Sequence, residues 1–370
     1  MAGIYLHIPF CKQACHYCNF HFTTSLRLKN EMVAALLGEA DLRKDYLRGE
    51  ALETIYLGGG TPSLLESEEL RSILKKIRSI HTVVADAEIT LETNPDDITE
   101  ERLKGWQDIG VNRLSIGVQS FFEEDLRWMN RAHSAGQAIR SLELAVNIFS
   151  NITMDLIYGH PLLSNEKWKK NVDTAISMGI PHLSCYALTV EPKTPLQKMI
   201  KMGKVEEVNS DKQSEQFLLL MQWLGDAGYE HYEISNFAKP GFRSRHNSSY
   251  WQGKAYLGLG PSAHSFDGNS RQWNVANNTI YIDSIAKGRV PFEKEELTPV
   301  QKINEHTMIS LRTSEGLDLS NMKSEVKEEW MKRAGVHLER GLLRMENDHL
   351  VLTKEGKLFA DGIAADLFIS

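Results

Sequence analysis

Across the first half of the chain, short runs rich in apolar and β-branched residues alternate with longer stretches whose apolar residues recur every three or four positions. The short runs, at 4–8, 54–57, 88–92, 113–118, 151–157 and 183–188, predict six strands. The longer ones, at 28–48, 67–80, 99–109, 135–149 and 165–178, predict the helices between them. A strand followed by a helix, repeated, implies a parallel sheet with right-handed crossovers, closed as a barrel or open. Ser67 before Glu68 and Glu69, and Thr99 before Glu100 and Glu101, supply capping hydroxyls followed by acids in the first helical turn.

The chemically unusual residues fall where these strands end. A loop with three cysteines follows the first strand, Gly58-Gly59-Gly60-Thr61-Pro62 the second, and Gln119 the fourth, while Glu92 closes the third and Asp155 lies near the end of the fifth. In a parallel barrel these ends share one face, the face on which active sites are built. From about residue 297 the pattern changes to helices followed by two short strands, 341–346 and 349–353, which resembles a winged-helix module. Residues 297–370 hold 10 Lys or Arg against 12 Asp or Glu, a balance of −2 that suits a lid or partner surface better than a DNA reader.

At 370 residues, 42% of them hydrophobic and 25% charged, the chain has room for a barrel-sized domain and a smaller one. The net charge of −7 argues against nucleic acid as a partner. Three of four cysteines crowd one loop, which is no disulfide framework and fits a reducing compartment. The opening residues lack a cationic segment followed by a long apolar one, so a cytoplasmic protein is expected, with peripheral contact at the inner face of the membrane left open.

Cys11, Cys15 and Cys18 have C-x3-C-x2-C spacing. Three thiolates on one loop can each take a corner iron of a [4Fe–4S] cube and leave the fourth iron open. An open iron can chelate S-adenosylmethionine and pass an electron into its sulfonium. A zinc site completed by His7, His16 or His21 is the competing reading of these cysteines alone. The glycine run lets backbone approach a ligand closely, or else only makes a tight turn into a helix. Glu92, Asp155 and Arg131 supply carboxylates for ribose hydroxyls and a guanidinium for a carboxylate, although each alone reads as an ordinary surface charge.

The runs Tyr5-Leu6-His7-Ile8-Pro9-Phe10-Cys11, Leu91-Glu92-Thr93-Asn94-Pro95, Gly117-Val118-Gln119-Ser120-Phe121, Asn130-Arg131 and Asp155-Leu156-Ile157-Tyr158-Gly159, with the glycine run, resemble the oxygen-independent coproporphyrinogen III oxidase group of radical SAM proteins. The resemblance spans nearly the whole chain. It implies an α/β fold: a radical SAM partial (β/α)6 barrel at 1–230, an accessory region at 231–296 and a small winged-helix-like domain at 297–370. It also implies a [4Fe–4S] cluster on Cys11, Cys15 and Cys18. S-adenosylmethionine would meet Tyr5, Tyr17, Gly59, Gly60, Thr61, Glu92, Gln119, Arg131 and Asp155.

Oxidases of this group carry a further cysteine two residues after the third, where this chain has Phe20. What stands here is similar to the haem chaperone subgroup, whose members bind haem and hand it on. His246-Asn247-Ser248-Ser249-Tyr250-Trp251 looks like that subgroup's haem motif and implies haem contacts at His246, Asn247, Tyr250 and Trp251. A structural segment in which His246 bonds locally and Tyr250 and Trp251 pack inward is the competing reading, and His264 is a rival ligand. Lys239, Arg243 and Arg245 are candidate partners for haem propionates. The expected output is delivery to acceptor haemoproteins, membrane respiratory cytochromes among the candidates. Oxidase chemistry on the coproporphyrinogen propionates is the alternative. A zinc-stabilised DNA-binding regulator is a remote third, and the electron donor stays unnamed.

Overall fold

The computed structural model describes residues 1–320, 322 and 324–369. Six strands, β1 (Ala2–Ile8), β2 (Leu52–Gly59), β3 (Val83–Thr93), β4 (Arg113–Gln119), β5 (Ile152–Tyr158) and β6 (His182–Ala187), lie side by side in chain order, each parallel to the next. Helices α1 (Lys29–Leu42), α2 (Ser67–Ile80), α3 (Glu100–Asp108), α4 (Glu123–Trp128), α5 (Ala135–Ile148) and α6 (Asn165–Ser177) occupy the crossovers. The alternation read from the sequence is therefore present.

Two local expectations change. The first helix stops at Leu42, and residues 43–49 form turns that end in left-handed Arg48 and Gly49. The second helix is capped by Glu66, whose side chain accepts from the N3 amide, and Ser67 lies already inside it. Thr99 does cap α3, accepting from the amide of Arg102.

Strand alternation decides what each face does. Ile4, Leu6, Ile55, Leu57, Ile89, Leu91, Leu114, Ile116, Met154 and Leu183 are buried in the large apolar core that includes residues of the covering helices. The opposite face carries Thr54, Glu88, Thr90, Arg113, Ser115, Thr153, His182 and Ser184, all buried as well. A polar row stays buried only when its groups bond one another or something laid across them. Arg113 bonds Asn151 and Thr153, and Glu88 caps a helix described below.

Beyond β6, helices α7 (Pro195–Lys201) and α8 (Ser210–Asp226) lead into β7 (Glu230–Glu233) and β8 (Asn236–Ala238); β8 pairs antiparallel with β6, and β7 pairs antiparallel with β8 at the sheet edge. The chain then crosses back through α9 (Arg245–Trp251). It continues as β9 (Tyr256–Leu259), parallel to β1, and as the antiparallel strands β10 (His264–Phe266), β11 (Ser270–Asn274) and, after α10 (Asn278–Ala286), β12 (Phe292–Glu296). These strands form one open twelve-stranded sheet in the order β12-β11-β10-β9-β1-β2-β3-β4-β5-β6-β8-β7. At the C-terminal end, α11 (Pro299–Leu311), α12 (Ser324–Glu339) and α13 (Ala360–Asp366) pack with a small sheet of β13 (Leu317–Asp318), β14 (Leu343–Glu346) and β15 (His349–Leu352). Their separate core is built on Leu317, Trp330, Leu350 and Ile363.

Candidate cofactor site

The cysteine loop after β1 is fastened at several points. The Cys11 amide donates to the Thr23 carbonyl (3.0 Å), and Thr23 returns a bond to Pro9 (2.8 Å). The His16 amide donates to Met129 (3.1 Å), and the His16 carbonyl accepts from Leu196 at the start of α7 (2.9 Å). Asn130 clamps the arch between, accepting from Gln13 Nε2 (2.7 Å) and donating to the Ala14 carbonyl (2.7 Å). The three thiols are half-buried and free of disulfides.

The glycine run adjoins this loop, and its composition follows from the contact. Gly60 and Thr61 donate to the carbonyls of Ile8 and Phe10 (2.9 and 2.6 Å), and a β-carbon on Gly60 would stand 2.5 Å from the Phe10 oxygen. Gly59 has φ of +110°, and a β-carbon there would strike the His7 ring at 2.6 Å.

Between loop and strand ends lies a cavity of about 470 Å³ whose wall includes Cys11, Cys15, Tyr17, Cys18, Gly59, Gly60, Thr61, Glu92, Gln119, Arg131 and Asp155. Residues from positions 11 to 155 thus meet in one place. Tyr5 does not reach this wall: its hydroxyl bonds His7 Nδ1 (3.1 Å) and its ring stacks on Tyr56. Sequence reasoning missed Asn94, Ser115 and Tyr186 of the wall and Tyr56, which supports Glu92 from outside it. Of these, Asn94 alone stood inside a quoted motif. A wider hollow of about 740 Å³ beside His81 and the start of β3 gathers none of these groups.

Arg131 organises the cavity. Its Nη1 lies 3.2 Å from Cys15 Sγ, its Nη2 donates to Asn94 Oδ1 (2.6 Å) and the Gly117 carbonyl (2.7 Å), and its buried Nε has no partner. Glu92 accepts from the Tyr56 hydroxyl (2.7 Å) and the Gly59 amide (3.1 Å). Burial holds the Glu92 carboxyl above its usual range; burial, then the nearby Glu92, pushes Asp155 up to about 7. Burial likewise pushes the Cys11 thiol up to about 11 and raises Cys18.

The site fits the cofactors that its residues suggest. Thiols that resist ionisation become thiolates when a metal compensates the charge. Two half-buried carboxyls and an unpartnered guanidinium N–H await a guest with cationic, hydroxyl and anionic groups. Among the described residues no three His, Cys, Asp or Glu side chains converge on one ion position. A cube needs only that each thiolate reach its own iron.

The haem-motif segment sits elsewhere. It is helix α9, laid against β1 and β2 at the end of the polar row away from the cysteines, with its Arg245 and His246 amides donating to Glu88 (3.0 and 2.9 Å). His246 is 1% exposed. Its Nδ1 is bonded to Thr54 Oγ1 (2.7 Å), its Nε2 to the Tyr250 hydroxyl (2.8 Å), and its ring stacks on Tyr56 at 4.9 Å. Burial drops its pKa to about 3, so the ring is neutral. Trp251 lies under the Arg312 guanidinium, and half-buried Asn247 completes the helix.

This is the inward-packed arrangement the sequence left as the competing reading. In this conformation neither His246 nitrogen can meet an iron, and freeing the ring would break its two hydrogen bonds, to Thr54 and Tyr250, of about 1 kcal/mol each. The cations expected for propionates are also engaged: Lys239 with the Ala227 carbonyl, Arg243 with Glu230 and Glu315, and Arg245 with Asp86.

Comparison with known proteins adds the following. The model of the Radical SAM superfamily matches residues 5–175. "Heme chaperone HemW" of Mycobacterium tuberculosis is 34% identical over 371 residues, covering 99% of this chain and 94% of its own length. The Bacillus subtilis protein of that name is 33% identical, covering 98% of each. Among solved structures, coproporphyrinogen III oxidase (HemN) from Escherichia coli shares the fold with a TM-score of 0.86 at 24% identity, over 99% of this chain and 90% of that one.

Proposed function

Since the chain belongs to the heme chaperone HemW family of radical SAM proteins, we propose that it binds haem and transfers it to acceptor haemoproteins, with a [4Fe–4S] cluster and S-adenosylmethionine in its barrel. The observation that carries this reading is full-length likeness to relatives of that name combined with Phe20, 68% exposed at the cavity wall, where the oxidases have a further cysteine.

Held by Cys11, Cys15 and Cys18, the cluster would supply an open iron and an electron to S-adenosylmethionine. The chain's own residues position that guest. Glu92 and Asp155 accept from its ribose hydroxyls, Gly59 and Gly60 admit its methionine end, and Arg131 and Gln119 contact its remaining polar groups. Thr61 receives a bond from Asn94 (3.0 Å), which holds the glycine run against β3. Tyr17, half-buried and packed against Met129 and Leu196 at the cavity wall, keeps the loop packed.

We divide the work along the chain as the sequence suggested: cofactors at 1–230, haem at 231–296, a lid or partner surface at 297–370. Respiratory cytochromes are a natural acceptor class, and the inner membrane face a natural meeting place. Among the described residues no helix is long and apolar enough to cross a membrane.

The test is anaerobic purification with iron, sulfide and haem quantified on one sample, followed by mixing with an apo-haemoprotein. Spectral transfer of haem without turnover of coproporphyrinogen III is expected. Protoporphyrinogen formed over multiple turnovers would replace this reading with the oxidase one.

A further inference from the structure

We propose that His264, on the open face of the β10–β11 hairpin, is the axial ligand through which this protein holds haem. The assignment rests on the haem-chaperone reading above and names its site.

Strand register defines the face. His264 pairs with Trp273 and Phe266 with Arg271, so these four side chains share one side of the hairpin, while Ser265, Gln272 and Asn274 turn to the other and are buried. Gln272 and Asn274 are tied there to Arg43 and Glu39 of α1 and the turn after it, which anchors the hairpin from behind. Tyr256 of β9 pairs with Phe266 and continues the aromatic surface, its ring 6.3 Å from that of Phe266.

This face therefore combines an exposed imidazole with three half-buried aromatic rings, of which Tyr256 also meets the Tyr250 ring of α9, and a half-buried guanidinium. A porphyrin asks for that combination: a nitrogen for its iron, flat apolar surface for its ring, and a cation for a propionate. The His264 and Trp273 rings lie 6.3 Å apart. Arg271 bonds Glu305 through Nη2, and its other nitrogens have no hydrogen-bonded partner among the described residues.

Histidine availability points the same way. Among the described residues His264 is the one exposed histidine with neither ring nitrogen hydrogen-bonded, whereas His246 and His7 have both occupied. Partial burial and the adjacent Arg271 lower the His264 pKa, which favours the neutral, ligating form at neutral pH. A carrier must also release what it carries. A ligand on an exposed hairpin leaves without any helix unfolding, whereas a ligand on His246 would require α9 to come away from β1 and β2.

The experiment titrates hemin into the full-length protein and its His264→Ala and His246→Ala variants, following the Soret band, with circular dichroism to establish folding. The expected result is an imidazole-ligated spectrum for the parent, at least tenfold weaker binding with a shifted band for H264A, and return of the parent band when free imidazole is added to H264A. H264A binding with unchanged affinity and spectrum overturns the assignment while the haem reading survives. Loss of the band in folded H246A, with H264A intact, overturns it too. A parent that binds no hemin overturns the haem reading itself.

Discussion

The Tyr56 hydroxyl donates a 2.7 Å hydrogen bond to Glu92 Oε1, so the carboxylate expected to grip the nucleoside is held by a ring that also stacks on His246. A phenol bonded to a half-buried carboxylate contributes about 1.5–3 kcal/mol and favours the ionised form. Tyr56→Phe keeps the stacking and removes the bond. Its S-adenosylmethionine affinity, measured by anaerobic calorimetry on cluster-loaded protein, should fall about tenfold or more. Unchanged affinity would show that Glu92 needs no such support.

That relationship marks where sequence reading stopped. The strands were legible because Ile4, Leu6, Ile55 and Leu57 alternate with other residues and pack on helices that have their own period. The convergence on one cavity was legible because Cys11, Gly60 and Glu92 stand at or just past strand ends, which topology gathers, while Asp155 reaches the same wall from the middle of β5. Tyr5 stands apart from the cavity wall because its side chain sits deeper along β1, beside Tyr56. The seat of His246 was invisible for another reason: its partner Thr54 lies 192 positions away, and no local pattern announces that a short helix will cover a polar row.

Asp155 gives the site a pH dependence with a definite sign. Its folded-state pKa of about 7 lies above its ordinary 3.8, so the stability it contributes is full below about pH 4 and is lost as pH rises through 7. Asp155→Asn in cluster-free protein should therefore gain thermal stability relative to the parent between pH 5 and pH 8. Nucleoside binding needs the carboxylate and should strengthen in the parent over the same interval, with D155N flat. Parallel stability curves for the two proteins would refute the assignment.

The cysteines and the hairpin belong to different parts of the sheet, which separates their functions experimentally. Cys11, Cys15 and Cys18 replaced together by serine should abolish iron and sulfide retention, because the oxygen ligands left behind are poor partners for a cluster. Hemin binding should persist within about threefold, since His264 and Trp273 lie on β10 and β11. Loss of both in a folded variant would place haem at the cluster cavity.

Glu39 is the pin on which that hairpin depends. Its carboxyl, fully buried on α1, accepts from the Gly260 amide (2.8 Å), the Tyr281 hydroxyl (2.6 Å) and Asn274 Nδ2 (2.7 Å), with Arg43 at 3.6 Å. Burial raises its pKa, but three donors and a guanidinium leave a carboxyl proton no acceptor, so the ionised form is the one these bonds describe. Glu39→Ala would strand every one of those groups in a dry interior, at roughly 3–5 kcal/mol. Glu39→Gln keeps the shape but turns an N–H toward a donor, costing about 1–3 kcal/mol. Thermal unfolding should rank the parent above E39Q and E39Q above E39A. Because the same bonds hold the turn at Gly260 and the strand bearing Trp273, hemin affinity should fall in that order while S-adenosylmethionine affinity barely moves. A loss of stability with hemin binding intact would show that the hairpin holds its shape without Glu39.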